Sequence, residues 1–322
     1  MNLIATLSKH KPNAAAVTIK TYAANLNKLA RDISDQPVLE NMDFLQNYDA
    51  VMAYLEKYQD TSKRNYLNAI VVLLGCDDKQ SALCSKYGKV RDELNNRYFK
   101  QQSKKSDKQA ANWVSKDQIA ALVKQYDTLV RQQQLKRKTA LSRLEYHLLM
   151  QWLVLHIYTH GILHNDDEFP PLRNDIAGMR LITKRQYNNL SNDDKRHSNY
   201  LVIGKSMKMI LNEYKTAKNY REIVIVVPKS LEKHLRAYLK QSQKISSEYL
   251  LASYDGQPLS RNALSKLLLR LFQDHFAKNI STTMLRHIYL SNKYSKVKED
   301  MEADAKSMGH SVSTQQNVYV KE

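Results

Sequence analysis

The chain has 322 residues, of which 43% are hydrophobic and 25% charged, with seven glycines and six prolines. This excludes collagen-like and low-complexity chains and leaves room for two ordinary domains. Lys and Arg outnumber Asp and Glu by 50 to 32, a formal net charge of +18. Such an excess predicts a polyanionic partner, most often nucleic acid, with an anionic membrane surface as the main alternative.

The membrane alternative does not fit the hydropathy of the chain. The longest apolar stretch, residues 144–158, is interrupted by charged and polar residues and is too short to span a bilayer. The N-terminus lacks the continuous apolar segment of a secretory signal. The two cysteines, Cys76 and Cys84, are expected to be reduced, and no metal site or cofactor is predicted from ligand spacing.

The first hundred residues predict helices alone. Apolar residues with a period near 3.6 predict the segments Thr18–Ile33, Asp43–Tyr58, a third helix capped by Thr61 or Ser62 and ended by Gly75, and roughly Ser81–Lys100. These helices predict a small helical bundle over residues 1–103. Residues 104–112 lie in a strongly basic stretch with few apolar residues. They are expected to form a linker, either simply solvated or lying along phosphates as well.

Residues 113–322 predict a domain of mixed structure, so the expected class is α+β and mainly helical. Ser115 caps a helix to about Arg131, and residues 144–158 form a buried helix. Four segments rich in β-branched residues predict a small antiparallel sheet: Met179–Thr183, Tyr200–Ile203, Met207–Leu211 and Glu222–Val227. The helices expected afterwards are 229–242, 261–273, 282–294 and 297–308.

Three motifs of this second domain carry chemistry. Met-Gly-His-Ser, with His310, is followed nine residues later by Tyr319. Thr-Met-Leu-Arg-His, with Arg286, begins 27 residues before His310, and the Lys215-containing turn YKTAKNYREIVIVVP joins two predicted strands. Each motif alone is ordinary, since a lone histidine, arginine or turn lysine usually has a structural role. Their order and spacing together are what distinguish them.

In that order and spacing, the motifs resemble those of the tyrosine recombinase (integrase) family. The resemblance covers essentially the whole chain and implies a helical core-binding domain and a catalytic domain that close as a C-shaped clamp on DNA. It implies that Tyr319 is the nucleophile and that Arg286 and His310 bind the phosphate. Lys215 is expected to be the general acid, with Lys218 as the alternative.

The first arginine of the family departs from the common Thr-Gly-x-Arg form. The turn after the buried helix has no arginine, and the next candidate is Arg173 in Phe-Pro-Pro-Leu-Arg-Asn-Asp. This resembles a variant associated with large DNA viruses and related mobile elements. Arg173 is therefore assigned the role, with Arg180 as the fallback. A purely structural pairing of Arg173 with Asp175 or Asp166 is the alternative, and Asp175 could instead orient Arg173.

A second departure concerns the position three residues before Arg286, where the family usually has His or Lys and this chain has Thr283. A hydroxyl can hydrogen-bond a phosphate oxygen but carries no charge. Thr283 is retained as a candidate catalytic residue. The neighbouring His287 is expected to be a packed helix residue.

The predicted reaction is site-specific recombination through a 3′-phosphotyrosyl intermediate. The resemblance implies double-stranded DNA as the partner and a homotetramer assembled on it, with a monomer or weak oligomer in its absence. The protein is expected to be intracellular, in a prokaryotic cytoplasm or in a eukaryotic nucleus or viral factory. The residues expected to contact DNA are Lys63, Arg64, Lys104, Lys105, Lys108, Arg261 and Lys266. The alternatives are a type IB topoisomerase-like enzyme and a catalytically inactive DNA-binding protein of the same fold.

Overall fold

The chain consists of two compact units that meet in sequence between Ser106 and Asp107. The computed structural model describes residues 2–75, 82–102, 104–245 and 248–320. The boundary falls inside the segment predicted as a linker, and that segment also contains a short helix, which the sequence did not predict. Each unit has its own hydrophobic core.

The first unit is helical in its described residues. Its helices are α1 (Leu3–His10), α2 (Ala16–Ser34), α3 (Tyr48–Glu56), α4 (Asp60–Leu73) and α5 (Ala82–Gln102). Helix α1 was not predicted, although its Leu3 and Leu7 are buried in the core. The predicted helix from Asp43 instead starts as a short 3-10 turn before α3. Gly75 follows α4 with a φ of 68° and thus ends it in the left-handed conformation, as predicted.

One expectation about the cysteines is wrong. Cys84, a buried residue of α5, forms a disulfide bond and is not reduced. Cys76 lies outside the described residues, as does Ser81, the predicted start of α5.

The second unit surrounds one helix, most of whose residues are buried. Its helices are α6 (Asp107–Ala111), α7 (Lys116–Gln132), α8 (Arg143–His164), α9 (Lys184–Asn189), α10 (Asn192–Arg196), α11 (Ala217–Tyr220), α12 (Lys229–Ser242), α13 (Arg261–Phe276), α14 (Thr282–Ser307) and α15 (Val312–Thr314). Helix α8 contains the predicted apolar segment and packs against α7, α12, α13 and α14. Within the described ranges, no helix has both the length and the apolar character to cross a bilayer.

The sheet of this unit is mixed. Strands β1 (Arg180–Thr183), β2 (Tyr200–Ile203), β3 (Lys208–Leu211) and β4 (Ile223–Val226) lie side by side in that order. All four strands were predicted, and β2–β3 and β3–β4 are antiparallel as expected. The pair β1–β2 is parallel, so the prediction of a wholly antiparallel sheet is wrong. The connection between these strands contains α9 and α10, which provide the crossover that parallel pairing requires.

The C-terminal region also differs from the prediction. Helix α14 is continuous over Thr282–Ser307, whereas two helices with a break at 295–296 were expected. No proline or glycine lies within it, and its second half is rich in good helix formers. It ends at Gly309, whose φ is 71°, with the His310 amide donating to the Ala305 carbonyl at 3.0 Å.

Gly161 in α8 permits the close approach of the chain that returns from this helix. A Cβ there would lie 2.5 Å from the Phe169 carbonyl oxygen. We expect Gly161→Ala to destabilise the protein by about 1–3 kcal/mol, because the backbone would have to move. Gly88 in α5 is the matched control, since a Cβ there meets no atom within 4 Å; Gly88→Ala is expected to gain about 0.5–1 kcal/mol. Denaturant unfolding measures both changes, and equal effects of the two would contradict the packing argument.

Candidate functional site

Arg173 lies at the end of the segment that follows α8. It directly precedes a 3-10 turn, Asn174–Ile176. Its backbone carbonyl accepts a hydrogen bond of 2.9 Å from the hydroxyl of Tyr158, whose side chain is buried in α8. The buried helix therefore fixes the backbone from which the Arg173 side chain extends.

Arg173 and Arg286 belong to one electrostatic cluster. Burial has the largest effect on the pKa of Arg286 and lowers it. The nearby positive charge of Arg173 lowers this pKa further, whereas the negative charge of Asp175 raises it. Both arginine residues are partly buried, and in the described part of the chain neither has a carboxylate within ion-pairing distance. Two like charges held together in this way favour an anion that binds to both. Arg180, the alternative candidate for the first arginine, instead forms an ion pair with Glu248 at 3.6 Å.

Asp175 and Arg261 complete the charged cluster. Asp175 is buried, and burial raises its pKa, whereas Arg261, Arg173 and Arg286 all act to lower it. The Asp175 carboxylate lies 3.5 Å from the Arg261 guanidinium, which also approaches the Glu213 carboxylate at 3.2 Å. The Arg261 guanidinium is thus ion-paired with two carboxylates while its side chain is half exposed, and its contact with DNA stays a prediction.

Asn199 connects this cluster to the β3–β4 connection. Its side-chain amide donates to the carbonyls of Asp175 at 2.7 Å and Glu213 at 2.9 Å. Its side-chain oxygen accepts from the amides of Asn212 and Glu213, both at 2.8 Å. Lys215 is exposed and lies two residues after Glu213. The buried Asn199 therefore orients the backbone that leads to Lys215 relative to Asp175. Asn199 had no motif that could have revealed it.

Thr283 and Arg286 lie three residues apart near the N-terminus of α14, a spacing that puts both on one face of the helix. Thr283 is exposed and Arg286 partly buried. His287 is exposed, so the expectation that it is packed is wrong. Its position on the helix directs it away from the buried side that contains Leu285 and Ile288.

His310 and Tyr319 form a second group. Their rings stack with centroids 4.9 Å apart and an interplanar angle of 23°. Tyr319 is 61% exposed. The Nε2 atom of His310 is buried and has no hydrogen-bond partner among the described residues. A histidine nitrogen without a partner beside an exposed phenol is suited to bind an incoming polar group.

The two groups lie at opposite ends of α14. Arg286 is in its second turn, and His310 follows its last residue, Ser307. At about 1.5 Å of rise per residue, the helix from Arg286 to Ser307 is roughly 30 Å long. The structure therefore brings Arg173 together with Arg286, and His310 together with Tyr319, but it does not bring the two pairs together.

The residues predicted to contact DNA have different environments. Lys63 is buried and its ammonium forms an ion pair with Glu56 at 2.7 Å; its contact with DNA stays a prediction. The Arg64 guanidinium lies over the ring of Tyr98, 3.8 Å from the centroid. The remaining lysines are exposed: Lys104, Lys105, Lys108 and Lys266.

Sequence reasoning missed a basic groove beside the β3–β4 connection. The groove has a volume of about 840 Å³ and is lined by Lys195, Arg196, Lys218 and Arg221, together with Glu222 and neutral residues. Lys218, the alternative general acid, thus lines a surface that attracts phosphate. The basic pair Lys195–Arg196 lies in a polar segment that showed no motif.

Comparison with known proteins gives distant structural similarities. No family model and no curated protein matches the chain. XerH site-specific recombinase bound to difH substrate in a pre-cleavage complex has 17% identity and a TM-score of 0.48, over 99% of this chain and 81% of that one. Its post-cleavage complex with palindromic difH has 16% identity and a TM-score of 0.46, over 97% and 80%. XerA recombinase has 12% identity and a TM-score of 0.34, over 98% and 92%.

Proposed function

We propose that this protein is a tyrosine-type site-specific DNA recombinase. The observation that carries the proposal is the convergence of Arg173 and Arg286, from distant parts of the chain, on one electrostatic cluster around Asp175. An arginine with a purely structural role usually forms an ion pair with a carboxylate. Arg173 and Arg286 instead lie near each other, each with its positive charge close to that of the other. The net charge of +18 supports DNA as the anionic partner.

The reaction we propose is transesterification without water. The Tyr319 phenol loses its proton and its oxygen attacks the scissile phosphorus, which forms a phosphotyrosine and breaks the bond to the 5′ oxygen. Lys215 gives a proton to that oxygen as it leaves. A 5′ hydroxyl from another strand then attacks the phosphotyrosine, which restores the phosphodiester and the free phenol.

The remaining residues stabilise the negative charge that grows on the nonbridging phosphate oxygens. Arg173 and Arg286 can each present two N–H groups to these oxygens. His310 contributes a further hydrogen bond through Nε2, the atom that has no partner in the described structure. Thr283, one turn before Arg286, can donate its hydroxyl.

The position of the tail supports a site shared between copies of the chain. Helix α14 separates Tyr319 from Arg286 by roughly 30 Å along its axis. Its middle part presents an apolar stripe at helical spacing, Leu290, Tyr294 and Val297, with 46%, 48% and 52% of their surfaces exposed. We therefore propose that α14 docks on a second copy and delivers Tyr319 to the arginine cluster of that copy, within an assembly on DNA.

Covalent trapping tests the proposed activity. The protein is incubated with a pool of nicked duplexes of random sequence, in which the nick lets the cleaved end diffuse away, and is then denatured. We expect a protein–DNA adduct that survives denaturation and that Tyr319→Phe abolishes, because the phenol oxygen is the nucleophile. Gel mobility and sequencing of the recovered DNA measure the adduct and its site.

Tyr22→Phe is the matched control, since Tyr22 lies in the first unit with its ring near Lys11; it is expected to keep the adduct. An adduct that persists in Tyr319→Phe would overturn the assignment of the nucleophile. DNA binding without an adduct in any variant would identify an inactive DNA-binding protein. Relaxation of supercoiled plasmid of arbitrary sequence would instead identify a topoisomerase.

A further inference from the structure

Three side chains with metal-ligating atoms converge between helices α7, α8 and α12. They are Asp127, His156 and His234. One ligand atom from each lies within 4.8 Å of the other two. All three residues are partly buried, and none belongs to the arginine cluster or to the His310–Tyr319 pair.

Hydrogen bonds to Asp127 and a stack of the two imidazoles hold this Asp-His-His cluster together. The Asp127 carboxylate accepts hydrogen bonds from Trp152 Nε1 at 2.7 Å and from His156 Nε2 at 3.0 Å. The imidazoles of His156 and His234 stack with centroids 3.9 Å apart. The Nδ1 atom of His234 is buried and has no hydrogen-bond partner within the residues described. Buried nitrogens are almost always satisfied, so this atom requires an explanation.

We propose that Asp127, His156 and His234 form a binding site for a divalent transition metal of the Zn²⁺ or Co²⁺ type, with water completing the coordination. Two imidazoles and one carboxylate are a ligand set that such ions accept. Donors within 4.8 Å of one another can reach one ion at its usual bond length of about 2.0–2.2 Å once an imidazole rotates out of the stacked pair, because an ion lies in the plane of each ring that binds it. A metal bound by His156 Nε2 takes the place of its hydrogen bond to the Asp127 carboxylate.

Two neighbours define the surroundings of the ion. The Trp152 N–H orients the Asp127 carboxylate in the way that outer-shell donors orient metal ligands. Lys136 acts against the ion: its ammonium lies 4.1 Å from the Trp152 ring centroid and interacts electrostatically with both Asp127 and His234. A bound cation has to displace this ammonium towards solvent, so Lys136 sets the affinity of the site.

The experiment uses the untagged full-length chain with Trp113→Phe, which leaves Trp152 as its sole tryptophan because the chain has two. After treatment with a chelator, the protein is titrated with Co²⁺ and Zn²⁺ at neutral pH. We expect one equivalent to bind, Co²⁺ to quench Trp152 fluorescence and Zn²⁺ to raise the unfolding temperature. The Trp152 ring lies 5.0 Å from both imidazoles, well within quenching range.

Variants separate this site from adventitious binding. His234→Gln and Asp127→Asn are expected to weaken binding by more than the roughly 10- to 100-fold that loss of an outer-shell partner causes. Lys136→Met is expected to tighten it. His197→Gln is the matched control, because His197 is exposed and bonded to the Asp193 carbonyl. Asp127→Asn retains an oxygen acceptor for Trp152, so it keeps the test valid if His234→Gln unfolds. Unchanged stoichiometry and quenching in Asp127→Asn would overturn the proposal.

Discussion

We expect Arg173→Ala and Arg286→Ala each to lower the rate of covalent adduct formation by about 10²- to 10³-fold, the usual effect of removing one donor to a developing oxyanion. The two arginines lie close enough for Arg173 to lower the pKa of Arg286. Both would therefore contact the same phosphate. Single-turnover cleavage of the DNA recovered in the trapping experiment measures the rate.

Arg180→Ala is the control, because the Arg180 side chain is exposed and pairs with Glu248. Exposed ion pairs contribute little to stability, so the variant is expected to fold and to cleave at a rate close to that of the parent. Arg173→Lys is expected to recover only part of the lost rate, since a lysine cannot form the two parallel hydrogen bonds of a guanidinium. If Arg180→Ala lowered the cleavage rate and Arg173→Ala left it unchanged, the result would contradict the role of Arg173 and assign the first arginine to Arg180.

Local signals predicted the secondary structure well. The run of β-branched residues before Pro228 became β4, and Ser115 caps α7 with a reciprocal capping box. These features depend on residues close in sequence. The parallel pairing of β1 with β2 was not predicted because it depends on the path of a crossover and on no property of either strand.

The candidate site was predictable only in part, for the same reason. Arg173 and Arg286 were found from family-like motifs, and the structure brings them together. Asn199, which orients the lysine-bearing connection, has no motif because its role arises from contacts to Asp175 and Glu213. The Asp127 cluster was missed because its ligands come from three helices, so no spacing typical of a metal site exists.

The continuity of α14 leads to the prediction with the sharpest outcome. If Tyr319 acts in the arginine cluster of a neighbouring copy, two inactive variants are expected to complement each other. Arg286→Ala keeps the nucleophile and Tyr319→Phe keeps the arginine. Equal amounts of the two, mixed on DNA, are expected to form an adduct that neither forms efficiently alone. An enlarging tag on Arg286→Ala shows by gel mobility that the adduct is on that chain.

A substitution in the helix gives an independent measurement of the same arrangement. Ser295 lies in the middle of α14, at the break that the sequence had predicted. Proline in a helix interior costs about 3 kcal/mol and kinks the helix, so Ser295→Pro is expected to abolish the adduct if a straight α14 delivers Tyr319 to another copy. Ser295→Ala is the control and is expected to remain active. If the mixture fails and Ser295→Pro remains active, Tyr319 instead reaches Arg286 of its own chain through a bend in α14. That result would overturn the shared site and leave the proposed recombinase activity intact, because the trapping experiment tests the activity separately.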